Sequence, residues 1–136
     1  MENVLIAVIA ASASIIVASI TYLFSKSKER EADWRKKKLE MYHELFSAIS
    51  GIVDGDSTPE AQKQFAKSTN TLGLIASVDV IEAMQELRVA TKPENREKHD
   101  EVLTKFIIAV RKDMGLPLSV EPNFTYTLWS SGVKKK

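Results

Sequence analysis

Asn3 to Phe24 is an unbroken run of 22 residues without a charge, and it constrains this chain more than anything else in it. At about 1.5 Å per residue, a helix of that length measures about 33 Å, against about 30 Å for the hydrocarbon core of a bilayer. A cleaved secretory leader would start on positive charge and carry an apolar stretch of only about 7–15 residues. Here the start holds Glu2, the stretch is longer, and Lys26, Lys28 and Arg30 follow at once as a stop-transfer signal. The expectation is a retained transmembrane helix over Met1 to Ser25. Because Lys26, Lys28, Arg30, Arg35, Lys36, Lys37 and Lys38 all follow the span, the positive-inside rule predicts the N-terminus outside a bacterial inner membrane and the rest in the cytoplasm.

The span is segregated around its circumference. At 100° per residue, Asn3, Ala7, Ala10, Ala11, Ser14, Ala18, Thr21 and Ser25 share one side, and Leu5, Ile9, Ile16, Ile20 and Leu23 take the other. Small residues let helices approach closely in lipid, and hydroxyls can bond across the seam. The expectation is a homo-oligomer packed through the small face, with the large residues toward lipid. The same face is compatible with two outcomes: a ring whose Asn3, Ser14, Thr21 and Ser25 line a neutral pore, or a tight dimer or trimer with no lumen.

Beyond the span, Lys26 to Lys38 reads as a basic juxtamembrane helix and Leu39 to Lys136 as a helical domain with its tail. Leu39, Tyr42, Phe46, Ile49 and Val53 step by three and four, widened by Leu45 and Ile52. With no Pro or Gly between Ser25 and Gly51, the membrane helix is expected to run on to about Ile52. Trp34 lies too far along for the lipid interface and is expected against the domain or a neighbouring subunit. Asp54-Gly55-Asp56-Ser57 is turn chemistry, and Thr58-Pro59-Glu60 starts a second helix with a hydroxyl cap and proline at the first position. Ser77 and Asp79 open a third helix over Val80, Ile81, Met84 and Leu87, closed by Lys92-Pro93. A fourth carries Val102, Leu103, Phe106, Ile107 and Val110 to Gly115 and Pro117. After Pro122, the alternation of Phe124, Tyr126 and Leu128 predicts an extended tail over the bundle with Trp129 as anchor. The fold class is all-α.

The net charge of +1 conceals a partition. Ser25 to Lys38 has seven basic and three acidic residues, whereas Leu39 to Val133 has nine basic and fourteen acidic. A basic collar attracts anionic lipid as well as setting topology, and an acidic bundle repels phosphate backbones, which argues against nucleic acid as a partner. There is no cysteine, hence no disulfide, thiolate zinc site or cysteine nucleophile. Glu40-xx-His43 is half of a di-metal carboxylate motif whose second copy is missing. Arg96-xx-His99 and Arg35 with His43 both miss the Arg/His spacing of HEPN-type ribonucleases. Phosphate-cradling glycine loops and Gly-x-Ser-x-Gly turns are absent, so the sequence supports no catalysis and no cofactor.

Ile108 to Gly115 reads Ile-Ala-Val-Arg-Lys-Asp-Met-Gly, preceded by Leu74-Ile75-Ala76-Ser77 and Val80-Ile81. With the membrane helix and basic collar, this resembles a family of small bacterial single-pass membrane proteins whose helical cytoplasmic domain ends in an Arg-Lys-Asp-Leu-Gly helix. The layout is also similar to that of the membrane accessory proteins that accompany an RNA-targeting effector and form ring-shaped pores in phage defence. The resemblance implies pore formation or membrane perturbation in stress or defence; the alternative is a tether whose bundle docks a soluble partner. Arg111 and Asp113 are the candidate assembly residues of the motif. Their other reading is structural, with Arg111 complementing the helix macrodipole and Asp113 pairing with a lysine on an adjoining surface.

Overall fold

The computed structural model describes residues 1–52, 57–91, 97–117 and 123–128. Among these, all regular structure is helical: α1 (Glu2–Ser50), α2 (Pro59–Ile75), α3 (Val78–Ala90) and α4 (His99–Asp113). Their contacts group into two units, Met1–Lys36 and Lys37–Lys136.

The run without helix breakers lets α1 continue for 49 residues, to within two positions of the expected end. It stops at Gly51, whose N–H donates to the carbonyls of Ser47 and Ala48 at 3.2 and 3.1 Å. A Cβ at Gly51 would sit 3.2 Å from the Ala61 Cβ of α2, so glycine here admits a close approach as well as a stop. The helix start at Thr58 is as expected: its Oγ1 accepts from the Ala61 N–H at 3.2 Å, and Pro59 takes the first helical position. Ser77 caps α3 by position, though its hydroxyl makes no cap bond. The third helix closes at Ala90 with Thr91 as C-cap; Lys92 and Pro93 lie outside the described residues, as do Val53, Pro122 and Trp129.

The core of the second unit forms where α1, α3 and α4 meet, with Leu72 from α2. Leu45, Val80, Leu103 and Phe106 are fully enclosed, each worth about 1.5–3 kcal/mol relative to exposure. The Phe46 and Phe106 rings lie 5.8 Å apart at 39°. One expectation is corrected. Leu39, assigned to the apolar stripe of α1, is 58 % exposed, while Met41 and Ala48 are buried in its stead. The stripe is centred on Leu45, and Leu39, six residues earlier, lies about 120° away from it on the wheel.

Residues 123–128 follow the expected extended course over the bundle. The Tyr126 N–H donates to Thr104 Oγ1 at 2.9 Å, Leu128 packs against the core, and Phe124 meets Tyr126 edge-on at 4.9 Å.

Candidate functional site

The first candidate is the apolar part of α1, the one segment among the described residues long and apolar enough to cross a membrane. Every residue of both expected faces is exposed in the single chain: Asn3, Ala7, Ala10, Ala11, Ser14, Ala18, Thr21 and Ser25 on one side, Leu5, Ile9, Ile16, Ile20 and Leu23 on the other. Three serines of the span have their hydroxyls paired. Ser12, Ser14 and Ser19 each donate to the carbonyl four residues back, of Val8, Ala10 and Ile15, at 2.8 Å. Such back-bonds satisfy the hydroxyl inside its own helix, so a serine can face lipid or a neighbour at little cost. Only Ser14 of the three lies on the small face, which shows how Ser12 and Ser19 are accommodated elsewhere on the circumference.

The basic collar is divided by the fold. Lys28, Arg30, Arg35, Lys36 and Lys37 are exposed, and Lys26 is held by Glu29 at 2.8 Å. Lys38 is different. Its position is seven residues before Leu45, on the core-facing side of α1, and its ammonium reaches Asp113 Oδ1 at 2.8 Å with 15 % of the side chain exposed. Lys38 therefore belongs to the bundle and leaves the membrane-surface collar.

Asp113 is the lysine's partner and the centre of a clasp. Its other carboxylate oxygen accepts from the Tyr42 hydroxyl at 2.5 Å, and the backbone N–H of Ser77 also bonds to it. One side chain at the end of α4 thus holds two successive turns of α1 and the start of α3. Burial alone would push the Asp113 carboxyl up, but Lys38, Tyr42 and the Ser77 N–H outweigh it and hold it below its ordinary range. Burial, then the hydrogen bond to Asp113 and its charge, push the Tyr42 phenol up, so it remains a donor.

The neighbouring residues of the Arg-Lys-Asp-Met-Gly segment are also used within the chain. Arg111 Nε donates to the Pro117 carbonyl at 2.6 Å, and Lys112 pairs with Asp79 in the first turn of α3 at 3.1 Å. Met114 is buried in the core. Gly115 has φ 67°, in the left-handed region, and the Leu116 N–H returns to the Arg111 carbonyl while the Gly115 N–H bonds that of Lys112. That is the double bond pattern of a glycine-terminated helix. For Asp113, then, the structure supplies the lysine on an adjoining surface that the structural reading required.

The histidines remain apart. His43 borders a cleft of about 310 Å³ with Ser47, Gly51 and Gln64, and His99 borders one of about 490 Å³ floored by Ile49, Phe65 and Leu87. His99 Nδ1 is 3.3 Å from Asp100 Oδ1. Among the described residues no group of three or more His, Asp or Glu side chains could hold a metal ion, and Arg96 lies outside them.

Periodicity could not have found the clasp, whose partners are 71 and 75 residues apart. Comparisons with protein-family models, with curated proteins and with solved structures find no match to this chain.

Proposed function

We propose that this protein is a single-pass membrane protein that assembles with copies of itself through the small face of α1, with the N-terminal end of α1 outside and the bundle in the cytoplasm. The observation that carries the reading is the combination of sequence segregation and total exposure. Eleven large side chains from Val4 to Leu23, such as Ile6, Ile9, Ile16 and Leu23, are each more than half exposed. An apolar surface of that extent calls for lipid, and the alanine and serine side lets a partner helix come close. The one-sided placement of the exposed cations supports the orientation.

The chain's lack of cysteine makes a clean test. Ala11→Cys and Ser14→Cys in the membrane-embedded full chain are expected to crosslink on oxidation, and Ile16→Cys is not. Equal crosslinking at Ile16 and Ala11 overturns the face. Particle mass in detergent, followed by conductance of proteoliposomes, separates the two assemblies: a large conducting ring supports a pore, and a small silent species supports a tether that presents the bundle to a soluble partner.

A further inference from the structure

Resting on the spanning reading, we infer that the first turns of α1 beyond the span form a docking surface for anionic phospholipid headgroups, made by Lys28 and Arg30 and not by the more distant cations of the collar. Measured along the helix at 1.5 Å per residue, Lys26, Lys28 and Arg30 stand about 3, 6 and 9 Å past Phe24. The headgroup layer on each side of the hydrocarbon is about 5–7 Å deep, so these three are within a side chain's reach of lipid phosphates. Lys36 and Lys37 stand about 18–20 Å out, which is about 11–15 Å beyond the headgroup layer and more than one screening length of about 8 Å at physiological salt. Lys38 is withdrawn altogether, because Asp113 holds it.

Within the proximal group the structure distinguishes further. Lys26 is partly covered, with its ammonium on Glu29 at 2.8 Å and 5.9 Å from the Tyr22 ring. Lys28 is exposed, 5.5 Å from the Phe24 ring, and among the described residues neither it nor Arg30 has a carboxylate partner. The ring of Phe24 at the end of the span therefore places an unpaired ammonium where the apolar layer gives way to phosphate. Six basic and three acidic residues remain between Ser25 and Lys37, so charge complementarity selects an anionic leaflet. Each basic residue close to such a surface is worth roughly a fivefold preference, whereas cations more than a screening length away from it are largely screened.

The test uses the full chain reconstituted in phosphatidylcholine vesicles that carry either spin-labelled phosphatidylglycerol or spin-labelled phosphatidylcholine. The fraction of motionally restricted lipid gives the anionic-over-zwitterionic preference. Lys28→Gln with Arg30→Gln is expected to lower that preference by up to about 25-fold, toward unity, and Lys36→Gln with Lys37→Gln to change it by less than about twofold. Equal losses in the two pairs, or no preference in the unaltered chain, overturn the inference while restricted lipid still shows that the chain spans. No restricted lipid with either probe overturns the spanning reading and this one together.

Discussion

Two ion pairs on α1 have the same length and opposite settings. Lys26–Glu29 and Lys38–Asp113 both measure 2.8 Å, yet the first leaves 44 and 60 % of its side chains exposed and the second 15 and 7 %. The exposed pair links neighbours three residues apart on one helix, where water and salt screen it and freezing two long side chains offsets the attraction. The enclosed pair joins residues 75 apart and shares its carboxylate with Tyr42 and the Ser77 N–H. Distance alone therefore says little about what a charge contributes; the number of groups that depend on it, and the water it has lost, say more.

The strongest way to break this contrast is Asp113→Ala. It strands the Lys38 ammonium in a mostly enclosed place and removes the acceptor of Tyr42, at an expected cost of about 3–5 kcal/mol, read from thermal or denaturant unfolding of the full chain in detergent. Adding Lys38→Met to that variant should recover part of the loss, since the stranded charge goes with it. If the double variant is no better than Asp113→Ala, the lysine's burial is not what makes the site costly to break. Tyr42→Phe keeps the ring and deletes one hydrogen bond to a charged acceptor, with an expected loss of about 1.5–3 kcal/mol.

Acidity sharpens the same comparison. With the Asp113 carboxyl held below its usual value, its contribution is present above about pH 4, the range of an unfolded aspartate, and is lost as pH falls through the lower folded value. The raised Tyr42 phenol works at the other limit: its contribution is complete below about pH 10 and declines as pH rises beyond it. Unfolding midpoints across pH should therefore fall at both ends, and Asp113→Asn should flatten the acid limb. The smallest effect is expected at the exposed pair, where Lys26→Gln should shift stability by less than about 0.5 kcal/mol. A shift as large as that of Tyr42→Phe would undo the contrast.

Much of the fold was legible because its signals are local. Thr58-Pro59 marks the start of α2, Gly115 the turn after α4, and the absence of Gly and Pro from Ser25 to Ser50 the continuity of α1. The errors come from phase and from distance. Steps of three and four residues drift around a helix, so Leu39 joins Tyr42 and Phe46 on paper while the buried stripe passes through Met41, Leu45 and Ala48. Lys38 lies on that stripe but reads as one more cation in a basic run. Asp113 stands out within its segment, and a lysine on an adjoining surface is the general form of its partner. Which lysine it takes, and that a tyrosine joins it, depend on the docking of α1 against α4, which no local pattern encodes.

The wide chain separation of the clasp also has a consequence for synthesis. At about 5–20 residues per second, the 71 residues between Tyr42 and Asp113 take roughly 4–14 s to make. Throughout that interval Met41, Leu45 and Ile49 have been synthesised while the helix end that closes over Tyr42 and Lys38 has not. Until α4 emerges, α1 can meet α3 but not Leu103, Phe106 or Asp113, so the clasp closes only after α2 and α3 have been made.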